Sequence, residues 1–201
     1  MDFKNQISNY LKLEEKVLKS LNVDEINETM NALLECYERG GNVYTCGNGG
    51  SASTASHMVC DFGKGTCYDL DKKFHFICLN DNIPTIMAIA NDDSYENIFA
   101  YQLKDRLTSN DILLAISGSG NSHNIIKAVD YAKQVGAKVI GMTGYNGGKL
   151  IKLADYRLHC PIDDMQITED VHLIFNHMMM KIFWMYLAEK NGKEAIYKVI
   201  Q

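Results

Sequence analysis

The sequence predicts an α/β protein in one domain over residues 1–201, with an N-terminal helical pair at 1–40 and a core at 41–201 built on a five-stranded parallel sheet flanked by helices. Three observations predict it. After residue 41, short apolar runs alternate with segments of helical period, the pattern of strand–helix–strand units. The apolar runs are nearly continuous, as in strands covered on both faces. No linker, repeat or low-complexity stretch divides the chain, and it holds only two prolines.

Taken in order, Phe3, Ile7, Tyr10, Leu11, Val17, Leu18 and Leu21 recur at helical spacing with Lys and Glu opposite. Ile26, Met30, Leu33, Leu34 and Tyr37 repeat the pattern until Gly40 and Gly41 stop it. Residues 42–46 form a short strand that runs into Gly47, Asn48, Gly49 and Gly50. Residues 51–62 carry no Pro or Gly and form a helix opening at that loop. A strand at 74–79 and a helical segment at 83–90 follow, then a helix over 95–107 and a strand at 111–116. Residues 121–135 are a helix, 138–142 a strand, 149–153 a short helix and 156–160 the last strand. A long helix spans 168–189 and a short C-terminal segment caps it. Five strands separated in this way make a flavodoxin-like arrangement.

Composition narrows the function. With 46% hydrophobic and 22% charged residues the chain matches globular averages, which excludes a disordered or fibrous protein. The net charge of −5 argues against a nucleic-acid binder, though loops and helix ends can still hold a small anion. Six cysteines without a CxxC pair read as reduced thiols. Residues 1–6 lack the basic lead of a signal peptide, and the most apolar window, 173–188, is interrupted by Asn176, His177 and Lys181. The expectation is a soluble, cytoplasmic protein with no membrane contact.

Three segments carry chemistry. Gly47 to Ala52 lies between strand and helix, where glycines admit a ligand and the helix start aims free N–H groups at it. Its spacing also fits the dinucleotide fingerprint G-x-G-x-x-G/A. However, Asp69 and Asp71 precede the second strand instead of ending it, and the lysine of a P-loop is absent. A tight turn holding no ligand is the plainer alternative. The second loop, Ile116 to Ser122, offers the hydroxyls of Ser117, Ser119 and Ser122 around Gly118 and Gly120. Helix capping explains any one of these residues but not three serines in six positions. Both loops fall at the C-terminal ends of strands, where open α/β sheets collect ligands, so together they favour a phosphorylated small molecule. The third segment is a set of ionisable residues. His57 and Asp61 are i, i+4 on one helix, and Glu169, His172 and His177 lie on the long one. A His with a carboxylate serves both metal ligation and acid–base work, whereas a lone helical His is ordinarily a hydrogen-bonded, partly buried residue. His75, His123 and His159 are assigned no catalytic part.

Taken together, a strand followed by GNGGSA, a helix bearing His57, the loop ISGSGNS and the late stretch EDVHLIFNH resemble the sugar isomerase (SIS) domain family, and within it the phosphoheptose isomerases. The likeness runs through nearly the whole chain, including Ala90-Asn91-Asp92. It implies that Ser117, Ser119 and Ser122 hold a sugar phosphate. Asn48, Ser51, Asn91 and Asp92 would line the sugar, with Gly49, Gly50, Gly118, Asn121 and Glu169 counted among the substrate-binding residues. It also implies one zinc ion per subunit on His57, Asp61, Glu169 and His177, with Asp61 and His177 as the acid–base pair. The chain departs from the family pattern at three of these positions, with Asp61 for Glu, Glu169 for Gln and Gly118 for Thr. A His, Asp, Glu, His set remains sound for zinc. Glu169 and His177 are eight residues apart, about 12 Å along a regular helix. Both reach one ion only if Glu169 lies in an irregular lead-in; otherwise His172 is the partner.

The implied activity is aldose–ketose isomerisation of a phosphorylated sugar, sedoheptulose 7-phosphate to glycero-manno-heptose 7-phosphate, through an enediol. The altered Asp61 and Glu169 keep a second reading open, a non-catalytic sugar-phosphate sensor or protein-binding adaptor. Val171, Phe175, Met178, Met179, Ile182, Phe183 and Tyr186 cover more than one face of the long helix. With the resemblance, they predict a homo-oligomer, a tetramer with sites at subunit boundaries. A monomer whose N-terminal pair folds over this helix is the alternative.

Overall fold

The computed structural model describes residues 1–193, so the expected C-terminal segment past that point lies outside the described residues. Helices α1 (Lys4–Leu18) and α2 (Val23–Glu38) form the N-terminal pair. They are unequal partners. Asn22 caps α2 by accepting from the Asp24 and Glu25 N–H groups, and α2 buries Ile26, Leu33 and Cys36, whereas α1 buries only Val17.

Strands β1 (Asn42–Cys46), β2 (His75–Cys78), β3 (Ile112–Ser117), β4 (Lys138–Thr143) and β5 (Tyr156–His159) are all parallel, in the order β2-β1-β3-β4-β5. This is the expected flavodoxin-like order. Tyr44 of β1 pairs with Ile77 of β2 on one side and Leu113 of β3 on the other. Because successive strand side chains alternate faces, β3 feeds two cores. Ile112, Leu114 and Ile116 enter one with Leu33, Met58, Phe62 and Phe175, beneath α2, α3 (Gly50–Cys60) and α8 (Met165–Lys190). Leu113 and Ala115 enter the other, with residues of α4 (Ile83–Asp92), α5 (Ala100–Leu103), α6 (His123–Gln134) and α7 (Leu150–Leu153). All six β3 residues are buried, which explains the unbroken apolar run. The six cysteines are free thiols, and burial pushes Cys36 and Cys160 up to about 11. No helix among the described residues is long and apolar enough to cross a membrane.

Three elements differ from their sequence reading. The helix expected over 51–62 stops at Cys60, and Asp61–Gly65 widens into a π turn closed by Thr66 N–H donating to the Asp61 carbonyl at 2.7 Å. The helix expected over 95–107 breaks into a 3₁₀ turn at Tyr95–Asn97 and the short α5. Lys104 then leaves helical conformation and Asp105 takes a left-handed φ of 59°, after which Leu107 is buried in the second core. Finally, α8 begins at Met165, three residues early, because the Asp164 carboxylate accepts from Ile167 N–H at 3.1 Å and caps it there.

Candidate active site

The chain leaves β1 for β2 on one side and comes back at β3 on the other, so the loops ending β1 and β3 flank a topological switch point. They enclose a cleft of about 290 Å³ lined by Asn48, Gly49, Gly50, Ser51, Ile116, Ser117, Gly118, Ser119, Ser122, Met165 and Glu169. No Lys or Arg is among these residues, and Glu169 is their one charged group. Available donors are hydroxyls and backbone N–H groups. The N-termini of α2, α4 and α8 are closed by the side chains of Asn22, Asn82 and Asp164, but those of α3 and α6 have no side-chain cap. Ser122 occupies the N-cap position of α6 but its side chain makes no capping bond; its Oγ lies 3.2 Å from Ser117 Oγ in the cleft. Gly120, with φ +66°, brings its loop so near the one after β4 that a Cβ would collide with the Gly147 carbonyl.

Several residues that sequence reasoning missed hold this cleft. Asn124, buried at the start of α6, exchanges two amide hydrogen bonds of 2.9 Å with Asn48. Tyr95 donates to Asn48 Oδ1 at 2.9 Å, and Asn80 grips Gly47 by both its N–H and its carbonyl. Only a polar residue at an otherwise apolar helical position, Asn124, left a signal. Three expected members are not among the residues lining this cleft. Asn121 turns away to bond the Ser119 carbonyl and Lys149 N–H. Asn91 and Asp92 end α4 bonded to each other, and Asp92 lines a separate hollow with Thr85 and Tyr101.

The second group lies further along the same helix pair. His57 Nε2 is 3.3 Å from Asp61 Oδ2, His177 Nε2 is 3.8 Å from the same oxygen, and one donor atom from each residue fits within 4.8 Å of the others. The two rings meet edge to face at 5.1 Å. Two imidazoles and a carboxylate are the donor set of an open three-ligand zinc site, so these residues fit that ion. Glu169 is not in this group. It sits in regular α8 with its carboxylate over Gly50, where any Cβ would collide with it. The irregular lead-in that would have brought it to the ion is absent because Asp164 starts the helix early.

His172 is not the replacement ligand either. It is 1% exposed, lies against Phe175 and is pushed down to about 4, chiefly by burial, although the nearby Thr143 backbone acts in the opposite direction. Neither ring nitrogen has a partner of good hydrogen-bond geometry. Thr168, His172 and Asn176 repeat every four residues and form a buried polar stripe on α8 between the cleft and the cluster. Of the remaining histidines, His159 bonds Thr143, His123 pairs with Glu96 and His75 is exposed on β2.

A family model described as the SIS domain matches residues 3–144. The chain belongs to this family. It is 37% identical over 179 residues to the phosphoheptose isomerase of Helicobacter pylori (strain ATCC 700392 / 26695), covering 88% of this chain and 91% of that one. Among solved structures, the phosphoheptose isomerase GmhA from Neisseria gonorrhoeae superposes with a TM-score of 0.83 at 25% identity, covering 90% of this chain and 98% of that one. A phosphoheptose isomerase from Francisella tularensis gives 0.82 at 29% identity, covering 91% and 98%.

Proposed function

We propose that the chain is a phosphoheptose isomerase, converting sedoheptulose 7-phosphate to the corresponding aldose phosphate. The observation that carries the reading is the spacing of two unlike groups on α3 and α8. Gly50 meets Glu169 at the cleft, and His57 meets His177 at the cluster. Those steps are seven residues on one helix and eight on the other, or about 10–12 Å at the usual rise. An extended seven-carbon sugar phosphate spans a comparable length, with phosphate at one end and the C1–C2 pair at the other.

The phosphate sits between the Ser117, Ser119 and Ser122 hydroxyls and the free N–H groups opening α3 and α6, where helix dipoles favour an anion without a cation's help. Glu169, at the rim, accepts from a sugar hydroxyl. Binding energy at the phosphate holds C1 and C2 against the cluster, which turns proton transfer into a positioned, unimolecular step. Asp61 and His177 divide the protons: one takes the proton from C1 to leave the enediol and the other serves the oxygens, before a proton returns at C2. Zinc held by His57, Asp61 and His177 supplies, when bound, Lewis-acid polarisation of the sugar oxygens. His57→Ala should then remove stoichiometric zinc from protein purified without chelators, by metal analysis.

The assembly we infer is a homo-oligomer, a tetramer. Phe3, Ile7 and Leu11 are exposed along α1, and Ile182, Met185 and Tyr186 along α8, while Val171, Phe175, Met179 and Phe183 are covered within the subunit. His57 and His177 are about half exposed, as expected of a site that a neighbour completes. Light scattering that finds the mass of one chain at micromolar concentration overturns this. For the activity, incubation with sedoheptulose 7-phosphate followed by NMR should show the aldose forming. Tight binding of ketose phosphates with no turnover of any would transfer the reading to a sensor, which the assembled His57–Asp61–His177 group argues against.

A further inference from the structure

We infer that Asn176 is a positioning residue for Asp61: its buried amide holds Asp61 Oδ2 at the point where His57 and His177 both meet it. The inference rests on the isomerase reading and adds to it a residue that touches neither sugar nor ion. Asn176 is fully buried on α8, on a helix whose neighbouring Val171, Phe175 and Met179 belong to the first core. Its Nδ2 donates to Asp61 Oδ2 at 2.7 Å, the shortest of that oxygen's three contacts. Turning the amide over would set two oxygens against each other, so the chemistry of the carboxylate decides which end points where.

Two features make this more than packing. The Asn176 carbonyl has no partner, so the site keeps an orphaned polar atom that a leucine, of the same branched shape though larger, would avoid. A burial cost kept where an apolar side chain would pack better marks a functional constraint. Asp61 also needs an anchor. It opens the π turn, and its other two contacts are to imidazoles whose side chains are 43% and 54% exposed. Asn176 is the rigid one of the three.

The test compares the parent protein with Asn176→Leu, and with Asn176→Ala in case the larger side chain disturbs folding. Two readouts are taken: kcat and KM for sedoheptulose 7-phosphate, and Zn²⁺ affinity by competition with a chromophoric chelator. Loss of a partner that orients a ligand typically costs roughly 10- to 100-fold. We expect kcat and zinc affinity each to fall within that range, with KM unchanged within twofold and the melting temperature of Asn176→Leu at or above the parent's. A purely structural role would lower the melting temperature and spare kcat. Variants that keep kcat and zinc affinity within twofold overturn the inference. If the parent does not turn over the sugar, the isomerase reading fails and the zinc arm alone decides about Asn176. If the parent binds no zinc, turnover decides, and a parent lacking both overturns both.

Discussion

The cleft and the His57–Asp61–His177 cluster sit on the same two helices and are built on opposite principles. The cleft is assembled mainly from two short loops, each contiguous in sequence, with Met165 and Glu169 of α8 beside them, and its donors are neutral groups and uncapped helix ends. The cluster is assembled from side chains distant in sequence, His57 and Asp61 on one side and His177 on the other, and works with ionisable groups. A binding function tolerates the first design because an anion needs only convergent N–H and O–H groups. Proton transfer requires the second, since groups that titrate must converge within bonding reach of the same substrate atoms.

If the two regions divide labour in this way, substitutions should separate kcat from KM. The largest effect is expected at the cluster. Asp61→Asn or His177→Ala should lower kcat by roughly 10²–10⁴-fold, the usual worth of a positioned acid or base, with KM little changed. A matching rise in KM would erase the distinction.

Next comes the polar stripe that joins the two regions. His172 is pushed down to about 4 in the folded protein, so it stays neutral where the unfolded chain takes up a proton below about 6.5. The unfolded state then binds more protons, and stability should be full above about pH 6.5 and fall as the pH drops toward 4. The loss across that window is about 3 kcal/mol. Urea unfolding of His172→Leu at pH 7.5 and pH 5 should show a flatter dependence than the parent; equal slopes would show that His172 is not the source.

At the cleft, Ser119→Ala and Ser122→Ala should each weaken sugar-phosphate binding by roughly 1.5–3 kcal/mol, as hydrogen bonds to a charged group do, while binding of the unphosphorylated sugar holds. Calorimetry that finds equal losses for the two ligands would move the phosphate elsewhere. The smallest effect is on stability. Gly120→Ala forces a left-handed residue against the Gly147 carbonyl and should cost about 2 kcal/mol in a denaturant melt. A loss confined to KM would mean that the loop yields and only the cleft is deformed.

The sheet and both loops were legible because their signals are local. An apolar run such as Ile112–Ser117 announces a strand covered on both faces, and glycines and serines after β1 and β3 announce the two strand-to-helix loops that line one cleft, whatever the rest of the chain does. Local pattern failed at 95–107, where Asp105 leaves the helical region. The resemblance, and not local pattern, singled out Asn91, Asp92 and Asn121, whose side chains bond each other or the Ser119 and Lys149 backbone and are not among the residues lining the cleft. Local pattern failed again at Asn124 and Asn176, whose value depends on the partner facing them.

By itself the sequence determined the α/β class, the order of elements, the two Gly- and Ser-rich loops and an ionisable candidate set that still held Glu169 and His172 beside His57, Asp61 and His177. Only the tertiary structure decided which carboxylate joins the histidines. One capping bond, Asp164 to Ile167 N–H, starts α8 three residues early and sends Glu169 to the cleft, while the π turn and Asn176 hold Asp61 against His57 and His177. The physical reason is that spacing along a helix fixes which side chains share a face, but the phase and packing of one helix against another are fixed by caps and core contacts distant in sequence.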